Sequence, residues 1–421
     1  MRSSSFWRRL FYGVINLLRW ALPTLMMAAV VRPRARVRHA TDQLRILVTR
    51  LDFIGDFLVF APFLRELRRN YPHALITVLV RPSVVPLAIP CPYVDEVLAV
   101  APSPSRSSSS SYLGYLWAVL GHVKEVTAFT RNNLAGRFDI AIQTCWWADC
   151  NFETLITFLS GAPRRVGYSE QTCPERSWSN FAHDYLLTDV LPPGPLQHEV
   201  NRNFDVIRYL GGSITSTEPE MWLLEEDQLQ ADHFLREHRL TGDCTLVAFG
   251  VGASGGRRLW PFYDQLIQLL GRDLNFIPLL LAGPGEEKRA AEIAARSDRA
   301  IVIQKMPLRA VAAIVSRCAL FIGNDSGPMH VASAVRIPVV EISCHPLDGD
   351  PEHVNSPVRI GPLAPHSIVV QPKRLIGNCQ GGCMEDMPHC IATISPEEVA
   401  SEAVRLMHRD AISIGAAEAC K

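Results

Sequence analysis

No stretch of this sequence is both long enough and apolar enough to read plainly as a membrane span. The best window, Phe6 to Val31, is broken by Arg8, Arg9 and Arg19. A span needs about 20 mostly apolar residues, and an arginine near its middle costs roughly 2.5–3.5 kcal/mol. No small-residue cleavage site follows Val31, which disfavours a removed secretion signal. Cysteine is sparse, eleven in 421 residues and mostly scattered singly, as at Cys244 and Cys318. That excludes a disulfide-dense scaffold and suits a reducing, cytoplasmic compartment. Net charge is absent too: 42 basic residues balance 42 acidic ones. The first 40 residues hold eight arginines and no acid, so the remainder is mildly acidic. A body that tracked phosphodiester backbones would need clustered Lys and Arg, so no nucleic-acid partner is expected.

What residues 1–40 do contain is an amphipathic pattern. Arg8, Arg9, Tyr12, Asn16 and Arg19 recur at helical spacing against Trp, Leu, Phe and Val, and Arg32, Arg34, Arg36 and Arg38 follow. A helix lying on an anionic leaflet is the leading expectation, ahead of a true span or a helix packed on the body.

The body is too long for one ordinary core, and its 48% hydrophobic content suits a folded protein. Leu44–Thr49 and Ala74–Val80 read as short buried strands separated by an apolar-periodic helix, a βαβ unit that implies a parallel sheet. Val97–Val100 and Phe138–Gln143 add strands beyond a Pro/Ser-rich stretch, Ala101–Ser111, that reads as a surface loop. A second series comprises Thr245–Phe249, Phe276–Leu281, Ala300–Ile303, Leu320–Ile322 and Val339–Ile342. The expected architecture is α/β, with an N-terminal domain over 41–215, a C-terminal domain over 216–421, and ligand in a cleft between two doubly wound sheets.

Chemistry-bearing residues cluster just after strands. Gly250-Val-Gly-Ala-Ser-Gly255 matches G-x-G-x-x-G, but the next strand ends without the acid that a dinucleotide site requires. The turn runs instead into Arg257 and Arg258, so backbone N–H groups and guanidinium together can neutralise a diphosphate. Asn324-Asp325-Ser326-Gly327-Pro328-Met329-His330 joins a strand to a small-residue helix. Asp325 can accept from sugar hydroxyls, and Ser326 and Gly327 stand at a helix N-terminus that favours phosphate. Arg50-Leu-Asp52-Phe-Ile-Gly55-Asp56 follows the first strand, with Asp56 at a helix start, where capping is the alternative role.

Together with Gly283-Pro-Gly-Glu-Glu-Lys-Arg-Ala290 and Lys305-Met-Pro-Leu308, these segments resemble glycosyltransferase family 9, the heptosyltransferases, over roughly Arg45 to Val404. The resemblance implies a GT-B-like fold and inverting transfer of a heptose from ADP-heptose to the lipopolysaccharide core, at the cytoplasmic face of the inner membrane. It implies Asp56 as general base, Asp325 as donor-sugar contact, and Ser326, Gly327 and His330 within the same donor motif. Ser254 would meet the phosphates, Glu286 would hold the nucleotide ribose, and Met306 would lie beside the base. Many members carry Lys where this chain has Arg258, which keeps the charge and changes its geometry.

No D-x-D motif stands in a suitable position, so neither a catalytic metal nor a cofactor is expected. Arg164 and Arg165 are candidate contacts for an acidic glycolipid acceptor. A nucleotide-sugar epimerase and a non-catalytic membrane-docked scaffold are the rival readings. Cys379, Cys383 and Cys390, with His389 adjacent, fit no common zinc module; a packed or redox-tuned loop is favoured there over a metal site.

Overall fold

The computed structural model describes residues 17–35, 42–105, 111–240, 244–297 and 299–418. Two compact units emerge. The first comprises residues up to Phe53, Phe63–Pro195 and Val200–Ser216; the second comprises Ile54–Pro62, Leu196–Glu199 and Thr217 onward.

In the first unit, helix α1 (Leu22–Val30) precedes β1 (Arg45–Arg50), the later part of α2 (Ile54–Asn70, whose residues Ile54–Pro62 belong to the second unit), β2 (Leu75–Val80), β3 (Glu96–Ala99), α3 (Tyr112–Asn133), β4 (Ile140–Gln143), α4 (Glu153–Leu159), β5 (Arg164–Tyr168) and β6 (Asp189–Leu191). The strands form one sheet in the order β3-β2-β1-β4-β5-β6, and every pair is parallel. The central strands Arg45–Arg50 and Ile140–Gln143 are buried almost throughout because helices cover both faces.

In the second unit β7 (Leu246–Gly250), α5 (Tyr263–Asp273), β8 (Ile277–Leu281), α6 (Glu287–Ala294), β9 (Ile301–Ile303), α7 (Leu308–Val315), β10 (Leu320–Asn324), α8 (Gly327–Ala334), β11 (Val339–Ile342), β12 (Ile368–Val370) and α9 (Pro396–Glu418) follow in turn. The sheet order β12-β11-β10-β7-β8-β9 repeats the first unit's topology. Both are doubly wound Rossmann-like folds, whose connections reverse direction between two central strands. For the second unit that point lies between β7 and β10. Register brings strand ends level there: Gly250 pairs with Leu281 on one side and Gly323 on the other. Three loops therefore leave the sheet side by side.

Of the amino-terminal segment, residues 17–35 are described; Phe6–Asn16, Arg36 and Arg38 lie outside the described residues. A π-helical turn at Leu17–Ala21 leads into α1. Trp20 is buried and meets Phe152 edge-on, with ring centroids 5.4 Å apart. Such a pair adds about 0.5–1.5 kcal/mol beyond the area it buries. Arg19 donates to the Tyr115 hydroxyl and lies over its ring, 4.6 Å from the centroid. α1 packs on α3 and α4, so this stretch belongs to the first unit's core. Its outer face still shows Leu22, Met26 and Val30 to solvent, and α3 shows Leu113 and Trp117.

Candidate active site

At the carboxyl end of β7 the chain turns through Gly252, exposed Ser254 and a short 3₁₀ segment, Gly256–Arg258. Buried Trp260 pins the far side of this turn. Its backbone N–H donates to Asn324 Oδ1 at 3.1 Å, and its indole donates to the Ile394 carbonyl at 3.0 Å. Asn324 Nδ2 in turn donates to the Gly252 carbonyl at 3.1 Å. One amide thus ties the end of β10 to both arms of the glycine turn.

The next residue along β10's exit, Asp325, is almost wholly buried. Its Oδ2 lies 3.5 Å from Arg258 Nη1 and accepts no hydrogen bond among the described residues. Arg258 is held from elsewhere as well, Nη2 donating to Asn355 Oδ1 at 2.5 Å. Burial pushes the Asp325 carboxyl pKa up, and Arg258 opposes that shift. Glu341, beside Gly323 in the β10–β11 register, is pushed well above the usual carboxylate range by burial and then by Asp325. The polar cluster therefore holds one guanidinium against two carboxyl groups, and a buried acceptor short of donors is a place for a ligand hydroxyl.

Ser326 occupies the N-cap of α8 but does not cap it; its hydroxyl donates backwards to the Asn324 carbonyl at 3.2 Å. The start of α8, with Gly327 open in front of it, is left without a side-chain cap. An uncapped helix N-terminus favours an anion. His330, one turn on, is buried and its pKa falls to about 3, through burial first and then His198 and Arg258. It is neutral at physiological pH. Gly55 presses on its ring: a Cβ there would sit 2.5 Å from His330 Cδ2. Asp56 follows in the first turn of α2.

After β8, Glu286 folds back onto the glycine turn. Its Oε2 accepts from the Gly283 N–H at 2.8 Å, and a Cβ on Gly252 would collide with its carboxylate. Next to it opens a cavity of about 280 Å³, apolar in lining, with Leu281, Met306, Leu308, Val311, Pro328 and Val331 among its walls.

Of the eight donor-side residues expected from the sequence, Ser254, Arg258, Glu286, Asp325 and Ser326 sit on loops leaving the level ends of β7, β8 and β10, Gly327 and His330 lie in the first turn of α8 that follows β10, and Met306 lines the adjoining cavity. Arg164 and Arg165 lie elsewhere. They begin β5, at the amino edge of the first sheet, where Arg164 pairs with Asp189 at 3.0 Å and Arg165 donates to the Leu186 and Ala162 carbonyls. These partners hold the start of β5, at the end of the strands away from where open α/β sheets bind ligands.

Sequence reasoning overlooked Asn355 and Glu341, and quoted Asn324 without giving it a task. Glu341 did carry a signal, being the one charge inside the apolar run Val339–Ile342. A second overlooked group lies in the first unit. Glu153 accepts from the Leu51 N–H at 3.0 Å and from the Thr49 hydroxyl at 3.1 Å. Burial, then Asp52 and Asp149, raise its pKa to about 8.

Two doubly wound α/β units, the second bearing a cationic glycine turn beside a buried carboxylate, have the architecture of the GT-B glycosyltransferases. The sequence matches the family described as glycosyltransferase family 9 (heptosyltransferase) over residues 131–345. Lipopolysaccharide heptosyltransferase 2 of Salmonella typhimurium is 24% identical over 315 residues, covering 71% of this chain and 82% of its own. The family 9 glycosyl transferase structure from Veillonella parvula superposes with a TM-score of 0.67 at 24% identity, covering 88% of this chain and 99% of that one. E. coli ADP-heptose lps heptosyltransferase II gives 0.62 at 19% identity, covering 87% and 99%; at such identities the structural likeness speaks for fold alone. The chain belongs to glycosyltransferase family 9.

Proposed function

We propose that this enzyme transfers a heptose from ADP-heptose, with inversion and without a catalytic metal, to a lipopolysaccharide core or related surface glycolipid. The observation that carries the reading is the grouping, at the ends of β7, β8 and β10, of one complementary feature for each part of a sugar nucleotide. The apolar cavity beside Met306 suits a nucleobase. Glu286, an acceptor on the glycine turn, suits the ribose hydroxyls. Arg258, Ser254 and the uncapped start of α8 suit the diphosphate. Asp325 Oδ2 suits a hydroxyl of the transferred sugar.

In the reaction, an acceptor oxygen bonds to the anomeric carbon as the bond from that carbon to the diphosphate breaks on the opposite face. Asp56 takes the acceptor's proton. Arg258 and the α8 terminus stabilise the negative charge that gathers on the departing diphosphate, replacing a divalent cation in that task. Neutral His330, packed on Gly55, keeps a second positive charge away from the donor.

The apolar ridge of Leu22, Met26, Val30, Leu113 and Trp117, with Arg32 and Arg34 following α1, suits an anionic leaflet at the cytoplasmic face of the inner membrane. The test of the reading is a transfer assay with ADP-heptose and heptose-deficient lipopolysaccharide, following ADP release and product mass together. A mass gain of one heptose is expected. Free epimerised sugar nucleotide without acceptor modification, or a preference for another nucleotide, overturns it.

A further inference from the structure

Beyond the donor residues, the second unit holds a cluster that the transfer chemistry does not use. Cys379, Cys383, His389 and Cys390 place their four candidate ligand atoms within 4.8 Å of one another. His389 Nδ1 lies 3.6 Å from Cys379 Sγ, 4.0 Å from Cys383 Sγ and 3.5 Å from Cys390 Sγ. Cys390 and Cys379 have their sulfurs 3.9 Å apart, about twice a disulfide bond length.

These separations have a simple geometric meaning. Zinc bonds of about 2.3 Å to sulfur and 2.0–2.1 Å to nitrogen, arranged tetrahedrally, put neighbouring sulfurs about 3.8 Å apart and sulfur and nitrogen about 3.6 Å apart. Four of the cluster's edges lie within a few tenths of an ångström of those values, and the other two fall inside 4.8 Å. All three cysteines are buried, and the Met384 N–H donates to Cys379 Sγ at 3.4 Å, a bond that favours a thiolate. The backbone is shaped for the approach: Gly377 and Gly381 adopt left-handed φ of 60° and 72°.

We propose that these four residues hold one zinc ion in a closed structural site, and that this site braces the Arg257–Arg258 turn. The loop and the turn are directly joined. Arg257 Nη1 donates to the Cys383 carbonyl at 3.2 Å. Gly256 allows the Asp386 carbonyl so near that a Cβ would lie 2.1 Å from it. From the other side the Asp350 N–H donates to the Gly381 carbonyl at 2.6 Å. Four ligands fill the tetrahedron and leave no open position for substrate, so the ion's task is to fix the loop.

The full-length protein, purified without added chelator, should carry about one equivalent of zinc by elemental mass spectrometry. Cobalt exchanged into it should show tetrahedral d–d bands and thiolate charge transfer. Cys383→Ser and Cys390→Ser should each retain less than a tenth of that zinc, while Cys91→Ser and Cys318→Ser retain all of it. Chelation of the wild type should lower its melting temperature and weaken ADP binding several-fold, with zinc restoring both. Zinc content is read independently of donor affinity, so failure of the donor reading leaves the metal result standing. Substoichiometric zinc in the wild type, iron in its place, or a Cys379–Cys390 disulfide in peptide maps overturns the site. Unchanged ADP affinity after complete zinc removal overturns the brace.

Discussion

Arg258 and Asp325 meet at 3.5 Å, Nη1 to Oδ2, while Asn355 fixes the other arm of the same guanidinium at 2.5 Å. The fork is used on both sides, which a lysine's single point charge cannot reproduce. Arg258→Ala should therefore weaken ADP binding about 10–100-fold, as expected for loss of a charged hydrogen bond worth about 1.5–3 kcal/mol. Arg258→Lys should fall between. Asp325→Ala should weaken ADP-heptose more than ADP. Calorimetry with both ligands checks this, and equal losses for the two ligands in both variants would show that the roles are wrongly divided.

Asp56 has two competing roles that one substitution separates. Asn caps a helix about as well as Asp but takes no proton at neutral pH. As general base, Asp56→Asn should lower turnover about 10²–10⁴-fold with donor affinity and melting temperature nearly unchanged. Near-normal turnover in the folded variant would leave Asp56 a capping residue.

Gly55 gives a test of packing. A methyl group there meets His330 at 2.5 Å, whereas a Cβ at Gly271, in α5, meets nothing within 4 Å. Gly271→Ala should raise stability by about 0.5–1 kcal/mol through helix propensity alone. Gly55→Ala should lower both melting temperature and turnover. A gain at both positions would mean that His330 yields freely.

Glu153 should make stability depend on pH. Its pKa in the folded protein is about 8 against an ordinary 4.5, so the folded state binds the proton more tightly. The stabilisation is complete below about pH 4.5 and is lost as pH rises toward 8, at most about 1.4 kcal/mol per unit. Melting temperatures of wild type and Glu153→Gln should diverge over that interval, with the wild type falling more steeply. Parallel curves would refute it.

Membrane docking through the α1–α3 ridge predicts that Met26→Glu with Trp117→Glu abolishes sedimentation with anionic vesicles and spares folding. Binding that survives the double substitution would move the docking surface elsewhere.

The alternation of apolar runs with helical patterns was enough to locate β1, β2, β4, β7, β8, β10 and β11, because parallel strands buried on both faces must be continuously apolar. β6 and β12 are edge strands of three residues each, and edge positions tolerate short strands, so neither announces itself; β5, though internal, opens with two arginines that break the apolar run. Asp325 was legible because it immediately follows β10, and Arg258 and Glu286 because they lie in the loops that follow β7 and β8. Asn355 was not, since it reaches Arg258 from 97 residues away in an irregular segment. The apolar content before Val31 did mark a segment with buried residues, Trp20 and Ala21 among the described ones. It could not reveal whether lipid or protein does the burying.

That last point changes how the enzyme can be handled. Trimming residues 1–40 as a detachable anchor would strip Trp20 from Phe152 and Arg19 from Tyr115, opening the first unit's core to water. The truncated chain would aggregate, and detergent would not rescue it, because the lost surface is a protein interior. A water-soluble version is better sought by repainting the outer side of α1 while leaving its inner side in place.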